Sequence, residues 1–200
     1  VQQPFAGYIE QKNTALGLAR YDLVLSLDAD EALDERLQQS ILAAKKEIPS
    51  AGYTMNRCTY YCGRFIRHGA WYPDRKLRLF NKQLAKWGGI NPHDKVEFST
   101  PQPTRQLAGD ILHYSYYSLE EHVTQNNKFS SISAESYFSQ GKRTSLLSIL
   151  FNPCWAFFSG YILRGGFLDG FYGYVIARNV AHLTFLKHSK LYLLQRKAAK

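Results

Sequence analysis

Apolar and polar positions divide the chain into short alternating segments, then into long helical ones. From Tyr8 to Arg20, Ile9, Leu16 and Ala19 fall near one face with Ala15 and Leu18 beside them, which predicts a helix. Tyr21–Leu27 is an apolar run of strand length that ends in acids. A helix feeding a buried strand predicts a parallel α/β sheet. A second helix is predicted over Leu33–Lys46, with Asp30 or Asp34 placed to cap it. Strands are predicted over Gly52–Tyr61, Gly63–His68, Arg75–Phe80 and Leu107–Tyr117, with a Gly- and Pro-containing loop at Trp87–Pro92. Leu119–Gln140 reads as a polar amphipathic helix. After Lys142 the pattern is of helices broken at Pro153 and at Gly165-Gly166.

Composition changes this picture at one point. The 200 residues are 45% hydrophobic and 20% charged, enough for a real core and too apolar for a disordered chain. The net charge is +9, but it is uneven. Between residues 142 and 200 lie nine Lys or Arg and one acid, Asp169, so +8 of the total belongs to that stretch. The same stretch is rich in Phe, Tyr and Trp. A division into residues 1–141 and 142–200 follows. The basic aromatic tail fits nucleic acid, an anionic membrane surface, or a helical subdomain with a solvated basic face. Its cations are interleaved with apolar aromatics rather than arranged in a Lys/Arg stripe, and no nucleic-acid motif is present, which disfavours nucleic acid. No charge occurs between Arg143 and Arg164, a length matching a bilayer span of about 20 residues. With Pro153 near its middle, the segment is read as lying at a membrane interface, against the alternatives of a span and of a buried core helix. The odd set Cys58, Cys62 and Cys154 closes no disulfide framework and points to the cytosol. No signal peptide pattern opens the chain.

The most informative chemistry is Leu25-Ser26-Leu27-Asp28-Ala29-Asp30-Glu31. Carboxylates two apart at a strand end share a face. Ligands of α/β sheets bind at that end, and hard oxygen donors there suit Mg²⁺ or Mn²⁺ with a phosphate substrate. The plain alternative is that Asp28 and Asp30 only cap the next helix.

Upstream stands Gln11-Lys12-Asn13. Downstream come Trp71-Tyr72-Pro73, Arg75 to Phe80, Trp87, His93-Asp94, His113 to Tyr116, and Tyr161-Ile162-Leu163-Arg164-Gly165-Gly166-Phe167-Leu168-Asp169-Gly170. This order resembles family 2 glycosyltransferases, and within them the bacterial branch that adds glucose to a heptose in building the lipopolysaccharide core. The resemblance runs over nearly the whole chain. It departs at the start, where the family's first strand with an Asn-Glu pair and its acidic Ser-Gly turn are not matched before the Gln11-Lys12-Asn13 helix.

The resemblance implies a GT-A-like, Rossmann-like fold. Its mostly parallel sheet has flanking helices, is truncated at the N-terminus and is followed by a helical membrane-associating region. It implies inverting, metal-dependent transfer from a UDP-sugar to a lipid-linked saccharide, on the inner face of the cytoplasmic membrane. Asp30 is then the direct metal ligand, with Asp28 on the metal or the ribose, and Glu31 is expected on the other face, capping or orienting. Lys12 and Asn13 meet the diphosphate or nucleotide, unless Lys12 is only a solvated helix charge. The His-acid pair places the general base at Asp94, with His93 orienting it or binding an acceptor hydroxyl; an ordinary loop hydrogen bond is the alternative for Asp94. His113 meets the metal or diphosphate, or is structural. Trp71 and Trp87 stack on sugars or belong to the core. Arg75, Lys76 and Arg78 meet acceptor phosphates or are solvated. A function of a different class also fits: a non-catalytic remnant that keeps only membrane-surface binding.

Overall fold

The computed structural model describes residues 2, 4–46, 51–90 and 93–198, without the side chains of Ile90 and His93. Two compact units are present: Val1–Arg57 with Asp74–His113, and Cys58–Pro73 with Tyr114–Lys200. The compositional boundary between residues 141 and 142 falls inside the second.

The first unit opens with α1 (Tyr8–Leu18), then β1 (Leu23–Leu25), β2 (Glu31–Leu33) and α2 (Glu35–Ala44). Asp34 caps α2: its Oδ1 accepts from Leu37 N at 2.7 Å, and its Oδ2 accepts from Asp110 N at 3.0 Å. A cap of this kind is worth about 1 kcal/mol. The strands β3 (Gly52–Tyr61), β5 (Asp74–Asn81) and β8 (Thr104–Tyr116) complete the main sheet in the order β1-β5-β3-β8-β2. Two cores form. Leu37, Tyr53, Met55, Leu79 and Ile111 pack with Leu23, Leu25 and Ile41, while Leu16, Phe80, Ala85 and Trp87 pack with Ile9, Val24 and Val96.

The expectation of a mostly parallel sheet is overturned. The registers of β1–β5, β2–β8, β3–β5 and of β3 with β4 (Arg64–Phe65) are all antiparallel. An apolar run such as Leu23–Leu27 carries no directional information, and β1 uses only three of its residues, on the sheet edge. What stands is a mixed α/β fold. The loop expected at Trp87–Pro92 is also replaced. Ala85–Ile90 forms β6, paired antiparallel with β7 (His93–Phe98), so His93-Asp94 starts a strand. Gly88 and Gly89 disguise this ribbon in the sequence. Gly89 adopts φ +97°, and a side chain at Gly88 would run into the Glu97 carboxylate.

One irregularity positions the site. Tyr53 pairs with Leu79 but Thr54 pairs with Leu77, so Arg78 is an extra residue in β5. Its carbonyl accepts from Ser26 N at 2.8 Å. Such a bulge bends the strand and re-aims a side chain.

In the second unit, α3 (Leu119–Ser139) begins with a capping box of Ser118 and Glu121. Helix α4 (Leu146–Phe158) is capped by Ser145 and continues through Pro153, contrary to the break expected there. A proline in a helix interior costs about 3 kcal/mol. Here packing on α5 (Gly170–Ala198) and the Asn152–His188 hydrogen bond at 3.0 Å hold the helix on either side of it. The helix runs on as a π-helical turn Ser159–Leu163 and breaks at Gly165, φ +68°, where the Gly165-Gly166 pair predicted it; a 3₁₀ turn Gly166–Asp169 follows, with Gly170 at φ +60°. Both α3 and α4 pack on α5. Lys190 reaches from α5 to Asn127, Ser130 and Ser131 of α3, with bonds of 2.7–2.9 Å. Tyr61, Trp71, Tyr116, His122 and Tyr172 form an aromatic cluster.

Candidate active site

The site grows from Arg78. The bulge turns its guanidinium toward Trp87, and the residue is only 4% exposed. Its Nη2 donates to Asp28 Oδ2 and Glu31 Oε1, both at 2.9 Å. Glu31 also accepts from Asp28 N at 3.0 Å, so it converges on the same guanidinium as Asp28 rather than turning to another face. Arg57, from β3, stands 3.6 Å from Glu31 and 2.8 Å from Asp74. Two Arg78 nitrogens, Nε and Nη1, are buried with no hydrogen-bond acceptor among the described residues. Buried N–H groups left unpaired cost about 1–3 kcal/mol each, more when charged. An acceptor arriving at this position recovers that energy.

Lys12, on α1, links the two carboxylates that matter most. Its Nζ lies 2.8 Å from Asp28 Oδ1 and 2.7 Å from Asp94 Oδ2, and 4.2 Å above the Trp87 ring. Arg78 lies 5.2 Å from the same ring. Trp87 is 4% exposed and belongs to the core, where its indole face steadies two cations. Asn13 fixes the ribbon: its amide donates to Trp87 O at 2.8 Å and accepts from Trp87 N at 3.0 Å. Both ends of that side chain are therefore engaged in bracing β6 against α1. The side chain of His93 lies outside the described residues.

Asp28 feels opposed influences. Burial pushes its carboxyl up, but the Lys12 hydrogen bond and the charges of Arg78 and Lys12 together hold it below the usual range. Asp28 is therefore an anion at neutral pH with both oxygens already on cations. Asp30 differs: its side chain is 52% exposed, and its Oδ2 faces His113 Nε2 at 3.2 Å. Burial, reinforced by the Arg57 charge, pulls His113 below the ordinary imidazole range against the opposing effect of Asp30 and Glu31, leaving the ring neutral at neutral pH.

Among the described residues, no three His, Cys, Asp or Glu side chains gather as a metal cage. Asp30 and His113 do fit as two adjacent ligands. Donors on an ion with bonds of about 2.1 Å stand about 3 Å apart, and a neutral imidazole can coordinate.

Lys12, Asp28, Arg78, Trp87 and Asp94 border a cavity of about 400 Å³, whose lining does not include Asp30 or His113. Lys12, Arg57, Arg75, Lys76, Arg78 and Lys95 line it together with Asp28 and Asp94. Such a surface receives an anion and keeps a carboxylate beside it. Sequence reasoning brought Lys12, Asp28, Asp94 and Arg78 to the site but missed Arg57, Lys95 and the part played by Glu31. Arg57 lies in an unremarkable strand, and only its distance from Glu31 reveals it.

No family model matches this chain. An uncharacterised glycosyltransferase of Rickettsia felis is 32% identical, over 96% of this chain and 71% of its own length. Another, from Rickettsia bellii, is 31% identical over 96% and 68%. A lipopolysaccharide core biosynthesis glycosyltransferase of Rhizobium meliloti is 28% identical over 99% and 73%. At 32% identity over 96% of its length to a relative of which it covers 71%, this chain belongs to the glycosyltransferases.

Proposed function

We propose that the protein is an inverting, family 2 enzyme that transfers glucose from a UDP-sugar to a lipid-linked saccharide of the lipopolysaccharide core. In this reading it works on the cytoplasmic face of the inner membrane. The observation that carries the reading is Arg78: a buried guanidinium with two nitrogens unpaired among the described residues, in a cationic cavity that also holds a carboxylate. That combination suits a diphosphate leaving group next to a general base.

Inversion is a single displacement at the anomeric carbon. The acceptor hydroxyl attacks, its proton goes to a carboxylate, and the bond to the diphosphate breaks. Asp94 is the base. Lys12 occupies its Oδ2 in the resting site, and a diphosphate within reach draws that ammonium away. Arg78, Arg57 and Lys12 then balance the charge growing on the diphosphate. Asp28 anchors Lys12 and Arg78 in position. Asp30 and His113 would hold a Mg²⁺ or Mn²⁺, which supplies further charge neutralisation to the leaving group. Trp87 acts through the cations it supports.

Transfer of radiolabelled glucose from UDP-glucose to a heptose-terminated core acceptor tests the reading. Wild-type turnover that requires a divalent ion and is lost in Asp94→Asn supports it. Turnover unchanged in Asp94→Asn, or indifferent to EDTA, contradicts the corresponding part. Absence of transfer from any nucleotide-sugar, with vesicle binding intact, would favour the non-catalytic reading.

A further inference from the structure

Helix α4 and the turns after it show an inversion of the usual surface. None of the α4 side chains is buried. Trp155 is 62% exposed, Leu147 67% and Phe171 73%, with Leu150, Phe151 and Leu163 similarly open. Leu146–Leu163 is the one helical stretch among the described residues long and apolar enough to cross a membrane, and it is almost entirely uncovered. The buried-core alternative for this segment is therefore excluded. An exposed apolar surface of this extent marks a binding site.

We propose that this face docks on an anionic phospholipid bilayer, lying in the plane of the headgroups. The inference extends the reading of a lipid-linked acceptor but stands on the second unit alone. Charge complementarity selects the occupant. Arg143 and Arg164 bracket the apolar stretch, and Arg178 is exposed on α5 beside the groove that Leu146, Leu150 and Phe185 help to line. The one acid after residue 142, Asp169, is 2% exposed. Its carboxylate is taken by His68 Nδ1 at 3.2 Å and Arg64 at 3.8 Å. A second copy would bring the same cations against each other, whereas anionic headgroups complement them.

Spanning is disfavoured by what α4 holds. His188 of α5 bonds Thr144 at 2.9 Å and Asn152 at 3.0 Å, so α4 cannot cross without drawing α5 with it. Helix α5 carries Arg178, Lys187 and Lys190, which are costly in hydrocarbon. An apolar helix held on α5 by its other side, with cations at its flanks, fits the interface instead.

The same geometry accounts for the Tyr161–Gly170 motif. Asp169 also accepts from Arg67 N at 3.1 Å and His68 N at 2.8 Å, and Gly69 N donates to Arg164 O at 2.9 Å. A side chain at Gly173 would collide with Gly166 O, and one at Gly166 with Gly160 O. These contacts hold Leu163, Phe167 and Leu168 out on a fixed support, so little order has to be gained on insertion.

Co-sedimentation of the full chain with vesicles tests the proposal. One set contains about one third phosphatidylglycerol in phosphatidylcholine, the other phosphatidylcholine alone. Binding should favour the anionic set and weaken with salt. Trp155→Glu and Leu163→Glu, both at exposed positions, should each weaken it about tenfold or more. Brominated lipid should quench wild-type fluorescence more than that of Trp155→Phe. Indifference to anionic vesicles at low salt overturns the proposal. So does a dimer that the same Glu variants dissociate, which would make the face a contact between copies. Retention in inner membranes after alkaline carbonate overturns the in-plane geometry in favour of a span. Transfer to a delipidated, soluble acceptor is measured on the same samples: its survival without vesicle binding sinks docking alone, and its absence with vesicle binding sinks the enzyme reading alone.

Discussion

The two compact units break opposite rules of protein surfaces. In the first, charge is hidden: Arg78 and Glu31 are almost wholly enclosed, and Arg78 keeps two nitrogens with no acceptor among the described residues. In the second, apolar side chains are shown: Leu147, Trp155 and Phe171 face outward from helices whose other side is well packed. Each departure costs free energy in the isolated molecule. In the reading proposed above, an anion offsets the first and a lipid surface the second. That proposal assigns bond chemistry to the charged cavity and docking to the apolar face.

The sharpest way to break the contrast is at Asp94. Asp94→Asn keeps the shape of β7 but removes the proton acceptor. It should lower kcat by about 10²–10⁴-fold, with donor affinity little changed, in steady-state kinetics at saturating acceptor. Collapse of donor affinity with kcat intact would reassign Asp94 to the nucleotide.

Arg78→Met should come next. It leaves Asp28 and Glu31 facing each other without their shared cation, and breaking a buried pair in this way costs about 3–5 kcal/mol. Urea denaturation reads this directly. Adding Glu31→Gln should restore much of the loss, because the abandoned carboxylate is then neutral. If the double variant is no more stable than Arg78→Met, the ionic cluster is not what holds this region.

Acidification should separate the units. His122 is buried against Tyr61 at 3.0 Å, and burial pushes its imidazole down to about 4. The unfolded chain binds that proton near pH 6.5. The stabilising contribution is therefore complete above pH 6.5, falls as the pH drops towards 4 and levels off below. It amounts to about 3 kcal/mol. Asp28, held below its ordinary value, contributes above the ordinary carboxylate range and loses that contribution only as the pH falls through its lower folded value. Hydrogen exchange across pH 7 to 4 should show α3 weakening before α1 and β5. His122→Gln should flatten that slope; an unchanged slope would assign it to other groups.

The smallest effect concerns the brace. Asn13→Ala removes both bonds to the Trp87 backbone and should cost about 1–2 kcal/mol, with a modest rise in donor KM as Lys12 loses its support. A change in kcat alone would give Asn13 a direct part in the chemistry.

Much of this was readable from the chain. Helical periodicity located α1 and α3, and β3 was predicted with the bounds it has. The family resemblance assigns Lys12 and Asp28 to the donor and Asp94 to the acceptor side, but the Lys12 bridge between the two carboxylates is visible only in the structure. Strand direction was not readable, because Leu23–Leu25 is equally apolar in either sense. The β6–β7 ribbon was masked by Gly88 and Gly89, whose value lies in backbone conformation and close approach. The bulge at Arg78 depends on a register between two distant strands. Arg75–Phe80 alternates regularly in sequence, so nothing in it signals that Arg78 is the extra residue. Pro153 misled because helix continuity there depends on α5, far along the chain.

Binding of UDP with a divalent ion, followed by titration calorimetry, addresses the charged cavity most directly. Wild type is compared with the Arg78→Met, Glu31→Gln double variant after circular dichroism confirms that both are folded. A cavity built to receive a diphosphate predicts tight binding to wild type and at least about tenfold weaker binding to the double variant, the loss expected for charged hydrogen bonds. Equal affinities for the two proteins would contradict the assignment of Arg78 and its cavity to the donor.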